Sequence, residues 1–189
     1  MRHKYETRGI VLARTHGGEA TTFVTILTSD LGLVQARAQS LRKSGAKLAH
    51  ALTTFAESSV VLVRGKDGWR VTGAVLEESW FTRLQSPETR AAAARVSGLL
   101  LRLVAGEAQD SKLFTIMKGF LAALVTLPED FCEFVEILAV LRILAALGLD
   151  TGEIPGDASA FTETLLAEIR SGRATYIARI NNGIAASGL

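Results

Sequence analysis

Short β-branched runs separated by turn residues fill the first 80 positions of this chain, and apolar residues at helical spacing fill the rest. Residues 10–13, 21–28 and 59–63 are the clearest strand segments. Gly17 and Gly18 separate the first two. Asp30 to Gly32 turns the second into a third segment at 33–38, and Asp67-Gly68 joins 60–64 to 69–75. An Asp-Gly pair between alternating strands predicts a type I′ hairpin, whose two central residues both need positive φ. About five short strands joined by tight turns match a small closed barrel such as the OB-fold. A five-stranded sandwich gives much the same pattern.

After Pro87 the period changes. Val96, Leu99, Leu100, Leu103 and Val104 mark one face of a helix over 91–105. A second is predicted from Ser111, with Phe114, Met117, Leu121, Leu124 and Val125 on its stripe and Pro128 closing it. A third, over 129–146, is apolar almost all round, which places it at the centre of a bundle, with Gly148 as its C-terminal cap. Residues 151–159 form a loop, and shorter helices are expected near 160–170 and 174–186. Strands followed by helices, without β-α-β alternation, give an α+β chain: an OB-fold over 1–80 and a helical domain over 81–189.

Charge sharpens that division. Residues 1–70 hold eleven Lys/Arg against five Asp/Glu, and residues 71–189 hold ten against fourteen. From Leu31 to Ala56 there is no carboxylate, yet Arg37, Arg42, Lys43 and Lys47 all lie there. A basic loop without acid to neutralise it attracts a phosphate backbone, because each contact releases condensed counterions. Arg14, Arg64 and Lys66 are further candidates on strands near the barrel rim. The bland alternative is a solvated charge run.

At 189 residues, 48% hydrophobic and 21% charged, the chain can bury a real core. A single cysteine, Cys132, among apolar neighbours, points to a buried inert thiol and a reducing compartment. No apolar segment follows the basic N-terminus, so no signal peptide is expected, and residues 134–149 are too short and too interrupted for a membrane span.

Catalytic patterns are missing from the sequence. His3, His16, His50 and Cys132 make no zinc-like spacing, and residues 65–68 lack the phosphate-loop pattern and read as a turn. Glu77 and Glu78, adjacent on a strand, face opposite ways. Binding rather than catalysis is therefore expected, with no cofactor, metal or small-molecule substrate. Of the aromatic residues that could stack on a base, Phe23 and Phe55 sit in apolar runs and read as core, while Trp69 could be exposed or buried.

Tyr5, Thr7, Gly9 and Leu12, the His16–Glu19 turn, Leu27-Thr28 with Leu31-Gly32, Ala36-Arg37-Ala38, Arg42-Lys43-Ser44 with Lys47-Leu48, Leu52 and Phe55, and 62–66 leading into 69–73 occur in this order and spacing. Together they resemble the start of the RecO family of bacterial recombination mediators. The rear half resembles it through Arg95-Val96, Leu100, Leu103, Glu107, Phe114, Leu141, Leu144 and Leu147-Gly148, and at the end through Ile180-Asn181, Ser187 and Leu189. The resemblance implies a non-enzymatic, cytoplasmic, nucleoid-associated protein that binds single- and double-stranded DNA and anneals complementary strands. It also implies help in loading recombinase onto strands coated by single-strand-binding protein, docking of that protein's acidic tail, and action with the partner RecR. Arg37, Arg42, Lys43 and Lys47 are carried over as DNA-contacting. For the tail, Arg95, Arg102 and Arg142 are the expected cations beside an apolar groove lined by Val96, Leu99 and Leu103. One departure stands out. Many family members carry a four-cysteine zinc module where this chain has residues 150–157 without cysteine, which reads as a short, zinc-less branch. Two other readings remain at this point: a protein-interaction adaptor and an RNA-binding barrel.

Overall fold

The computed structural model describes residues 3–17, 21–39, 48–104 and 111–189. They fall into two compact units. One runs to residue 82 and takes in 111–114; the other comprises 83–104 and 115–189.

The first unit is a five-stranded closed barrel: β1 (Lys4–His16), β2 (Thr21–Thr28), β3 (Gly32–Gln39), β4 (Ala56–Gly65) and β5 (Gly68–Ser79), in the ring order β1-β2-β3-β5-β4. Closure depends on β1, whose first half pairs antiparallel with β4 from Lys4↔Val63 to Ile10↔Glu57. Its second half pairs with β2 from Gly9↔Thr28 to His16↔Thr22, with a register shift between Val11 and Ala13 that bends the strand. One strand thus serves two neighbours and removes both sheet edges, which decides for the barrel over the sandwich. The remaining seam, β3 against β5, is parallel and only two residue pairs long, Ala36↔Trp69 and Arg37↔Arg70.

Alternation fills the barrel. Val24 and Ile26 of β2, Val34, Ala36 and Ala38 of β3, Val60 and Leu62 of β4, and Trp69 and Val71 of β5 are buried together with Val11. Ala36 pairs with Trp69, and the small side chain leaves room for the indole. Leu52, in the segment entering β4, is fully buried in the same cluster.

The β4–β5 hairpin departs from expectation. Its turn is Lys66-Asp67, closed by the pair Gly65↔Gly68. Among the described residues Phe55 is the one non-glycine with positive φ, so Asp67 does not supply it and the turn is not type I′. Gly68, at φ +94°, takes the left-handed position after the turn instead. Phe55 itself, at φ +62°, is buried; its N–H donates to the Val11 carbonyl (2.7 Å) and its carbonyl accepts from Trp80 N–H (3.1 Å). That last bond tethers α1 (Trp80–Arg83), a single turn that no sequence signal announced.

The second unit is helical: α2 (Pro87–Leu103), α3 (Ser111–Thr126, whose first turn belongs to the barrel unit), a 3-10 turn (Glu129–Phe131), α4 (Cys132–Ala146), α5 (Glu163–Ser171) and α6 (Arg173–Ala186). α2 begins four residues before the expected start, because Pro87 opens it rather than preceding it. The Ser86 side chain caps it, accepting from Thr89 N–H at 3.1 Å. α4 is the hub, packed by α2, α5 and α6, and eleven of its residues are buried. It ends at Gly148 (φ +72°), where Leu149 N–H reaches the Leu144 carbonyl (2.8 Å) and Gly148 N–H the Ala145 carbonyl (3.0 Å). These two bonds make a Schellman motif.

Arg142 overturns an expectation. It is buried, 5% exposed, in the last third of α4 rather than standing beside a groove. Its guanidinium donates to the carbonyls of Pro155 (3.0 Å) and Ala158 (3.3 Å) and lies 4.7 Å from the Phe161 ring centroid. Burial pulls its pKa down to about 10, so it stays charged at neutral pH. Arg179 of α6 grips the same loop, pairing with Asp150 (2.5 Å) and donating to the Glu153 carbonyl (2.9 Å). Two arginines thus hold the loop over residues 150–158. Among the described residues no helix is long and apolar enough to cross a membrane.

Candidate nucleic-acid interface

Register alone builds a line of cations across the outside of the barrel. Lys4 pairs with Val63, Val63 with Arg70, and Arg70 with Arg37. Directly paired residues share a face, and here it is the outer one, since Trp69 and Val71 flanking Arg70, and Ala36 and Ala38 flanking Arg37, all point into the core. With strands about 4.8 Å apart, the line runs from β1 to β3 over roughly 14 Å, perpendicular to the strands.

The β4–β5 hairpin adds Arg64 and Lys66 beside this line, and together these residues border a cleft of about 650 Å³. Five cations line it, Lys4, Arg37, Arg64, Lys66 and Arg70, against one carboxylate, Asp67. Among the described residues no ion pair engages Lys4, Arg37, Lys66 or Arg70. Two of the guanidiniums are held over aromatic rings: Arg64 lies 5.3 Å from the Trp69 centroid and Arg37 5.8 Å from that of Phe23. Tyr5 meets Trp69 edge to face at 5.2 Å. Such stacking orders a long side chain in advance and lowers the entropy that binding must remove.

Arg37, Arg64 and Lys66 come together in the cleft. Arg14 does not line it; half-buried on β1, it pairs with Val24. Arg42, Lys43 and Lys47 lie outside the described residues. Lys4 and Arg70 were missed. Arg70 carried a signal, as the polar position between Trp69 and Val71, but only the register brings it beside Arg37. Trp69, whose exposure the sequence left open, is buried and serves as the cleft's floor.

In the helical unit Arg95 is committed to Glu136, with Nε at 2.8 Å and a terminal nitrogen at 2.7 Å, and reaches Glu88 at 3.4 Å. The Glu136 carboxylate holds its pKa above the ordinary arginine value. Arg102 is exposed in the last turn of α2. Of the residues expected to line a groove there, Val96 is buried while Leu99 and Leu103 are half-buried. Cys132 is buried, and desolvation pushes its thiol up to about 11, the reverse of what a nucleophile needs.

Residues 1–79 match the family model described as Recombination protein O N terminal. A protein named DNA repair protein RecO from Dehalococcoides mccartyi is 34% identical over 137 residues, 71% of this chain and 54% of that protein. Proteins of the same name from Roseiflexus sp. and Rubrobacter xylanophilus are 35% and 30% identical, over 64% and 83% of this chain and 42% and 66% of theirs. The chain belongs to the RecO family. It spans about half the length of the curated relatives it matches. The region matched by the RecO family model covers all five strands, and with them every residue of the cationic cleft.

Proposed function

We propose that the cleft across β1, β4, β5 and β3 binds the phosphate backbone of DNA, single-stranded above all, and that the chain acts in recombinational DNA repair without catalysing a reaction. In this reading it anneals complementary strands and assists recombinase loading on DNA coated by single-strand-binding protein, with RecR as a partner. The observation that carries it is the convergence on one cleft of four cations from four separate strands, with a fifth, Lys66, from the β4–β5 turn. Of the three cations expected to meet the acidic tail of single-strand-binding protein, Arg102 is the one that remains, exposed on α2, since Arg95 is ion-paired and Arg142 buried.

The test is fluorescence anisotropy with a labelled oligothymidine at several salt concentrations. Replacing Arg37, Lys66 and Arg70 with Ala should lower the slope of log K against log salt by about 2, from roughly 0.7 per lost single-strand contact. Melting temperature should change little, since the charged ends are not core. An unchanged slope would remove the cleft as the DNA site. Strand annealing, with and without single-strand-binding protein, then tests the mediator role.

A further inference from the structure

A second concave surface lies wholly within the helical unit. α2 and α6 both pack on α4, and between them is a groove of about 550 Å³. Its apolar surface comes from Ile137 and Val140 of α4 and from Ile177 and Ile180 of α6. Three carboxylates, Glu88, Glu133 and Glu136, stand on its rim with a single lining cation, Arg95. That one guanidinium serves two of the carboxylates unequally: Glu136 takes both near contacts, while Glu88 is reached only at 3.4 Å and its side chain is 57% exposed. Glu133, half-exposed, is met from outside the lining by Arg173 at 2.5 Å. With both arginines counted, the rim still carries an excess of negative charge.

An aliphatic floor under an acidic rim selects a particular visitor. An acidic peptide would meet three carboxylates and two arginines already paired to them, so the groove does not suit the tail for which Arg95 was a candidate. We infer that it docks a cationic, aliphatic segment of a partner protein, whose Leu or Ile side chains enter between α2 and α6 while flanking Lys or Arg side chains meet Glu88 and Glu133. Exposed pairs such as Arg173–Glu133 contribute little to folding, so an incoming cation displaces them at small cost. A helix set in a groove, anchored at i and i+3 or i+4, is the geometry such a floor accepts.

The test uses the full chain and two labelled 14-residue amphipathic peptides of matched length, one built from Leu and Lys, the other from Leu and Glu. Anisotropy should show saturable binding of the Leu/Lys peptide, weakened by salt, and at least tenfold weaker binding of the Leu/Glu peptide. Glu88→Lys with Glu133→Lys, both exposed and so compatible with folding, should weaken the Leu/Lys peptide at least tenfold and leave oligothymidine binding unchanged. Ile177→Ser, at a half-buried position, should weaken it while leaving the salt dependence intact. Equal binding by parent and double variant, or a preference for the Leu/Glu peptide, would overturn the assignment. Neither result bears on the barrel cleft, which the oligothymidine measurement reads separately.

Discussion

Arg142 offers the sharpest test of how the helical unit is held. A buried guanidinium with no bonded carboxylate is an expensive group, and replacing buried charge by a hydrophobe of similar volume is often neutral or stabilising. Here the balance turns on what the guanidinium holds. Its bonds to the Pro155 and Ala158 carbonyls come from a charged donor, about 1.5–3 kcal/mol each, and the contact with the Phe161 ring adds about 1–2 kcal/mol. Against this, Nε is buried without a partner, a cost of about 1–3 kcal/mol. The desolvation of the cation adds to the opposing side. The hydrogen bonds win by a modest margin, so Arg142→Met should lose about 2 kcal/mol. Arg142→Ala should lose about 2–5 kcal/mol more, through the cavity left inside α4's packing. Urea unfolding followed by circular dichroism measures the totals. Because the chain has two units, amide exchange across residues 156–161 provides the local reading, and protection there should fall in both variants. A Met variant as stable as the parent, with loop protection intact, would show that the desolvation cost equals what the guanidinium contributes and refute the reasoning.

The Cys132 thiol, pushed from its ordinary 9.0 up to about 11, should react with a disulfide reagent at pH 8 far more slowly than a free thiol, and reach normal rates only on unfolding. Because this acid's pKa is raised in the folded state, stability should fall as pH rises above 9, and Cys132→Ala should remove that part of the alkaline slope. Gly148→Ala places a side chain at φ +72° in the cap of α4, which should cost about 1–2 kcal/mol by urea unfolding; no loss would mean that the cap opens without consequence.

All five strands and the helical rear half were legible because their signals are local: β-branched runs between turn residues, then apolar positions three and four apart. Barrel closure was not, because it rests on β1 running for 13 residues, where only 10–13 stood out, and on its pairing with two partners in turn. The hairpin tip shows another limit. Asp67-Gly68 announced a turn correctly, but which residue takes positive φ depends on the register of the strands beyond it. Arg142 misled because a lone cation in a greasy helix reads as a surface mark, whereas a loop 13 to 16 residues away supplies the carbonyls that let it stay inside. In the cleft, Arg64 and Lys66 were visible as a cluster, but Lys4 and Arg70 join them only through pairings that cross the barrel.

The seam between β3 and β5 has an energetic consequence. It is the shortest join in the ring, two residue pairs, and one of those pairs sets Arg37 directly against Arg70. Like charges so placed push the strands apart, at the point where the fewest backbone bonds hold them. A bound anion touching both reverses the sign and becomes a clasp on the ring. Cleft occupancy and barrel closure are then one linked equilibrium: at a hundredfold excess of ligand over its dissociation constant, the closed form gains about 2.7 kcal/mol.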